Sequence, residues 1–294
     1  MTAATDPAPA TALSRLHRLL LAPAVLIVAV FLMAPIALMA VESFHPYVPG
    51  RAGSGAGWTL QNYTELASSA YAFYFWDTFR IGFIVSALAV ALAAPVAWHA
   101  ARTRRHGLRL FIFGLLVSLL FLSLIAKLYA IQMTWGATGP LTFFGRWIGI
   151  PVNSPRYAEV QVQIGLLHFV LPVATLMLIG TFQNINPQLE RAAESLGAPR
   201  WHVATSVTLP LAVPGLLSAF MIGFAMCISN FVVPLILGRG VVLFTTNLMY
   251  TRFSDVANYP SGAAIGIIML VLAIAIVYGL TVMVRTLFPQ EVRP

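Results

Sequence analysis

The sequence is poor in charge. Only 9% of its 294 residues are Asp, Glu, Lys or Arg, where soluble domains carry about a quarter. That excludes a soluble globular chain. A hydrophobic share of 59% and a mean hydropathy of +0.85 exclude a disordered one. Cysteine is almost absent too: Cys227 stands alone inside an apolar run. One thiol closes no intramolecular disulfide and anchors no cysteine-rich metal site, and no metal ligand set is expected. The sequence has no GxxxxGK[ST] phosphate loop, no HExxH and no GxSxG. No ATP hydrolysis, catalytic residue or bound cofactor is therefore expected of this chain. The net charge of +8 would suit nucleic acid, but on so apolar a background it reads better as membrane topology, so no nucleic-acid partner is expected.

What is present is long apolar runs. Six can be read: Leu19–Val41, Thr78–Ala101, Leu108–Leu128, Val160–Phe182, Pro214–Leu237 and Gly262–Leu287. One span takes about 20 apolar residues. Hydrocarbon offers the backbone no hydrogen-bond partner, so each run should be a helix. The expected fold class is an all-α polytopic membrane protein with six transmembrane helices. The first run follows Arg15 and Arg18 and exceeds the about 7–15 apolar residues of a cleaved signal, so a retained anchor is expected. Residues 1–18 read as a disordered tail, 19–288 as one transmembrane domain and 289–294 as a second tail.

Charge sets the expected orientation. The N-tail, the short loop with Arg102, Arg104, Arg105 and Arg109, the loop with Arg191 and Arg200, and the C-tail lie on one side, where basic residues clearly outnumber acids. The other side is nearly balanced. Both termini are therefore expected in the cytoplasm. The outer connections are long and aromatic, as suits an interfacial belt.

The loop at about 183–212 carries the strongest local pattern. Asn186 can cap a helix that starts at Pro187. Leu189, Ala192, Ala193 and Leu196 share one apolar face, and Glu190, Arg191 and Glu194 lie off it. Gly197 can end the helix, and Pro199 can start a second short one through Trp201 and Val203. Such an elbow could lie on the membrane or dock another protein. Because Glu190 and Glu194 offset Arg191, docking is favoured.

This loop resembles the EAA loop of ABC-importer permeases. The family pattern is Glu-Ala-Ala, three residues, Gly, nine residues, Ile, one residue, Leu-Pro. The chain has Arg191-Ala192-Ala193, Gly197, Val207, Thr208 and Leu209-Pro210 at that spacing. Arg191 stands in the place of the family Glu, with Glu190 one position earlier. Residues 58–63 (Trp-Thr-Leu-Gln-Asn-Tyr), the run from Asn230 to Gly238 and the run from Tyr259 to Ala264 resemble the spermidine/putrescine-type branch.

The resemblance implies the type I importer fold and a permease subunit that forms half of a solute pathway. It implies two copies of a cytoplasmic ATPase that binds ATP and Mg, a second permease, usually a paralogue, and an extracytoplasmic binding protein. It implies a bacterial inner-membrane location. The implied ATPase-coupling residues are Ala192, Ala193, Leu196, Gly197, Ala198, Pro199, Leu209 and Pro210, with Glu190, Arg191, Glu194 and Arg200 as a charged rim.

Intramembrane ionisable groups are solute-path candidates because they are costly in lipid. Lys127 could line the path or snorkel to the interface. Tyr129, Gln132 and Trp135 follow it and could form an outer gate or simply pack there. Asn230, beside Ser229, could bind solute or bridge helices. His168 and His99 are expected to be structural, and Asn184 lies at the end of the fourth run. The spans hold no central Asp or Glu, so a polyamine would depend on aromatic faces, and an anionic or zwitterionic solute stays open. An ion-gradient-driven secondary transporter is the other reading, although the carboxylates it would use at the midplane are missing.

Overall fold

The computed structural model describes residues 10–50, 55–136, 138–147 and 149–287. No β-sheet forms among them. The elements are α1 (Ala10–Glu42), α2 (Gln61–Leu66), α3 (Ser69–Arg102), α4 (His106–Phe121), α5 (Leu124–Trp135), α6 (Thr142–Trp147), α7 (Pro155–Asn184), α8 (Pro187–Ser195), α9 (Arg200–Val203), α10 (Leu209–Ile228), α11 (Val232–Leu237), α12 (Thr245–Tyr250) and α13 (Tyr259–Leu287). Two π-helical turns, Ala204–Thr208 and Thr251–Asp255, join α9 to α10 and follow α12.

Five helical stretches are long and apolar enough to cross a membrane, and a sixth results if the bent pair α4–α5 counts as one span. The first half of the expected N-tail and the whole C-tail lie outside the described residues. From Ala10 the backbone is already helical, because Ala, Leu and Arg are strong helix formers.

The centre is a three-helix layer of α3, α7 and α10. On α3, Ala89, Ala93, Ala97 and Ala100 are fully buried at helical spacing. Small side chains let backbones approach closely, which in lipid replaces the hydrophobic drive for helix packing. The α7–α10 contact shows the same device: a Cβ on Gly215 would lie 2.2 Å from Thr181 Cγ2. By contrast α1 packs against α13, and its Val25–Glu42 stretch has no buried residue.

Two spans differ from the expectation. The run Leu108–Leu128 is not one straight helix: α4 and α5 meet at 98°. Leu122 and Ser123 both take extended backbone, and no proline or glycine causes the break. A straight helix would pair the Leu119 carbonyl with the Ser123 amide. The bend removes that donor, and the Lys127 ammonium donates to Leu119 O instead. A cation at the end of α4 also suits the negative pole of the helix dipole.

The fifth run also breaks. α10 stops at Ile228, and α11 holds Pro234. The Asn230 side chain accepts from the Val233 amide at 2.9 Å and so caps α11. Its second arm is supported by Asn247, which accepts from Phe244 N (2.9 Å) and donates to Phe231 O (2.8 Å).

The tight seam yields a stability prediction. Gly215→Val should cost about 1–3 kcal/mol through overpacking against Thr181. Gly114→Ala, where a Cβ meets nothing within 4 Å, should be neutral or gain up to about 1 kcal/mol. Thermal unfolding of the purified variants in detergent measures both, and equal midpoints would refute the close α7–α10 contact.

Candidate functional site: the coupling elbow

The elbow forms as its residues dictate. Asn186 Oδ1 accepts the Gln188 amide at 3.0 Å, and Pro187 opens α8. The helix ends where Gly197 takes φ +89°, a left-handed value that favours glycine. There the amides of Gly197 and Ala198 return to the carbonyls of Glu194 (3.0 Å) and Ala193 (3.2 Å). Pro199 then leads into α9. The second arm is not a separate short helix before a span at Pro214. It runs on through the π-turn into α10, so residues 200–228 form one helical stretch. Leu209 and Pro210 lie in the first turn of α10, Leu209 exposed and Pro210 half-buried.

The apolar face of the elbow is uncovered. Leu196 is 89% exposed, Trp201 70% and Leu189 47%. Ala192 and Pro199 are exposed, and Ala193 and Ala198 are half-buried.

One expected rim residue is not on the rim. Glu190 turns inward and takes a bidentate contact from Arg102, through Nε at 2.9 Å and Nη2 at 3.0 Å. Thr208 Oγ1 donates to it at 2.8 Å, and Trp98 Nε1 reaches it at 3.4 Å. Arg102 Nη2 also donates to the Ile185 carbonyl at 3.1 Å. The reason is geometric: Glu190 falls on the side of α8 that faces the end of α3. Arg191, Glu194 and Arg200 do lie on the rim, with Arg200 Nε 3.6 Å from Glu194.

Burial opposes ionisation of Glu190. The hydrogen bonds and charge of Arg102, with Thr208 and Trp98, outweigh it and hold the carboxyl below its ordinary range. The sequence marked Arg102 only as a topology residue, and neither Trp98 nor Thr208 as a contact of Glu190. The signal for Arg102 was a basic cluster in a short loop, which does not reveal its partner. The clamp places that loop and the elbow at one end of the bundle.

The solute-path candidates fare differently. Lys127 is 7% exposed and engaged at the α4 break. Tyr129 points outward at 54% exposure. Gln132 is half-buried, and its Oε1 is buried without a partner. The Trp135 carbonyl accepts from Tyr157 OH and Gln161 Nε2, each at 2.7 Å. Ser229 is exposed, and Asn230 is the α11 cap. Helices α5 and α11 pack together around buried Leu128, Val233 and Leu237. His168 is half-buried on α7, whereas Asn184 and His99 are exposed. Among the described residues no group of three or more His, Cys, Asp and Glu could hold a metal ion.

Comparison with known proteins agrees with this geometry. Residues 15–287 match the profile of the binding-protein-dependent transport system inner membrane component. The chain belongs to that family. It is an ABC-importer permease subunit, a non-catalytic translocation component of the inner membrane. It is 26% identical over 229 residues to the spermidine/putrescine transport system permease protein PotB of Escherichia coli (strain K12), covering 77% of this chain and 81% of that one. The Haemophilus influenzae PotB is 27% identical over 222 residues, covering 75% and 77%. The molybdenum transport system permease protein ModB of Haemophilus influenzae is 32% identical over 141 residues, 48% of this chain and 60% of that one. The fold matches a crystal structure of a bacterial alginate ABC transporter in complex with a pentasaccharide-bound periplasmic protein, with a TM-score of 0.73 at 18% identity, covering 93% and 95% of the two chains. This is the type I importer fold anticipated for the permease. Neither family nor fold favours a secondary transporter.

The Glu190 clamp has a defined pH dependence. Its folded carboxyl ionises at lower pH than an unfolded one. Its contribution is therefore full above the ordinary carboxylate range and is lost as pH falls through the depressed value. Arg102→Ala should raise local opening of α8 by roughly 10- to 100-fold at neutral pH, the scale of a charged hydrogen bond. Glu190→Gln should remove the acid dependence of that opening. Hydrogen exchange of residues 187–196 reads both, and unchanged protection would exclude the clamp.

Proposed function

We propose that this permease forms one half of a solute pathway in the bacterial cytoplasmic membrane, with both termini in the cytoplasm. Two copies of an ATPase bind ATP and Mg and dock on the elbows of this chain and of a paralogous second permease. An extracytoplasmic binding protein delivers the solute. Residues 19–288 act as the permease domain, with the loop at about 183–212 as its coupling segment. The observation that carries this reading is the uncovered apolar elbow, built at the spacing of the EAA pattern and held to the spans by Arg102.

The proposed coupling surface is Leu189, Ala192, Ala193, Leu196 and Gly197, with Ala198, Pro199, Leu209 and Pro210 shaping the bend. Arg191, Glu194 and Arg200 rim it. Arg102 and Glu190 act as positioning residues: a push on α8 passes to α3 through the clamp, and a push on α9 passes along its axis into α10. The cycle is alternating access, in which ATP binding favours one of two arrangements.

For the solute we favour a polyamine or a similar small organic cation, following the PotB relatives. One feature supports this, although Lys127 keeps its charge because the Leu119 carbonyl it bonds is neutral. Asp77 on α3 and Glu159 on α7 share Arg80, at 3.1 and 2.9 Å, two carboxylates to one guanidinium. Gln132, Tyr129, Trp135, Ser229 and Asn230 remain path candidates.

The test uses the complex expressed from its native gene cluster and reconstituted in liposomes. ATP-dependent uptake of radiolabelled spermidine or putrescine, stimulated by the loaded binding protein and blind to ion-gradient collapse, is expected. Ala193→Asp should cut uptake more than tenfold at unchanged expression, because a charge enters the docking face. Uptake that follows an ion gradient without ATP would overturn the importer reading.

A further inference from the structure

A groove of about 630 Å³ opens beside the elbow, between the end of α3 and the α8–α9 arm. Its charges do not balance. Glu190 lines it but is engaged by Arg102, Trp98 and Thr208. Glu194 lies against Arg200. Arg104 and Arg191 also line it, both exposed. Among the described residues their guanidinium groups meet no carboxylate and no hydrogen-bond acceptor. The apolar tip, Leu196 and Trp201, stands next to this groove.

We infer that the groove receives an acidic segment of the partner ATPase, read by Arg104 and Arg191 beside the apolar tip. This rests on the reading of the elbow as the ATPase-docking site and adds the charge of the surface that fits it. An apolar anchor gives affinity with little selectivity, whereas complementary charge selects the partner and speeds its encounter. With Glu190 held by Arg102 and Glu194 beside Arg200, Arg104 and Arg191 leave the groove with a positive excess. A protein segment suits the groove better than a phospholipid headgroup, because it can cover the apolar tip, Leu196 and Trp201, while its carboxylates reach Arg104 and Arg191. Guanidinium groups favour bidentate carboxylate partners, which makes Asp or Glu the matching residues.

The test is retention of the co-expressed ATPase encoded in the same gene cluster by the tagged full-length permease in detergent. The variants are Arg104→Glu/Arg191→Glu, Arg104→Gln/Arg191→Gln, Arg191→Lys and Leu196→Asp. Monodispersity of each permease on size exclusion controls for folding, and the Gln pair answers if the reversed pair does not fold. The double reversal should lower retained ATPase at least tenfold, the Gln pair should lower it less, and Arg191→Lys should keep most of it. Wild-type retention should fall as salt rises from 0.15 to 1 M, where screening lengths shrink from about 8 to about 3 Å. The double reversal should lose that salt dependence.

Normal retention in the double reversal, with loss in Leu196→Asp, would overturn the charge reading and leave the docking elbow standing. Normal retention in both would overturn the two together. Unchanged ATPase with loss of bound anionic lipid, read by native mass spectrometry, would assign the groove to a headgroup instead and so overturn the inference.

Discussion

The backbone's need for hydrogen bonds in a medium without water governs this structure. A continuous helix meets that need by itself, and each helix that breaks must find a substitute. The chain solves each break with one polar side chain. Lys127 serves the Leu119 carbonyl where α4 turns into α5. Asn230 serves the Val233 amide where α10 gives way to α11. Asn247 holds the following turn at both Phe244 and Phe231. Asn186 starts α8. These polar side chains are committed to geometry, which explains how a chain with so few charges holds bent segments.

The same economy shapes the coupling elbow. The Arg102–Glu190 pair and the unbroken passage from α9 to α10 connect the elbow to two of the three central helices. The clamp fixes the elbow from behind, and Leu196 and Trp201 leave its front face uncovered. Glycine at residue 197 fits because the turn between the arms takes a positive φ. The small residues that line α3 let the connected helices sit close together.

Much of the permease was legible in the residues. The apolar runs forecast the long helices, because 18 or more apolar residues have few other stable fates. The Asn186 cap, Pro187 start and Gly197 stop forecast the elbow, because each acts within one turn of chain. The spacing around Ala192 and Ala193 pointed to the family, which the match over residues 15–287 established. The two breaks were not legible. Leu119–Ser123 holds no proline or glycine, and Pro234 lies inside α11 and not at the break before it.

The sequence by itself determined the environment, the apolar runs that become helices and the first arm of the elbow. These follow from composition and from contacts a few residues apart. Only the tertiary structure decided what the polar residues do. Lys127 and Asn230 are caps, and Glu190 is an inward clamp and not a rim charge. Those roles depend on partners as far as 88 residues away, in Arg102, or on a bend that no local signal encodes. Intrinsic preferences act along the chain, whereas the pairing of a buried charge is settled by which helix ends packing brings together.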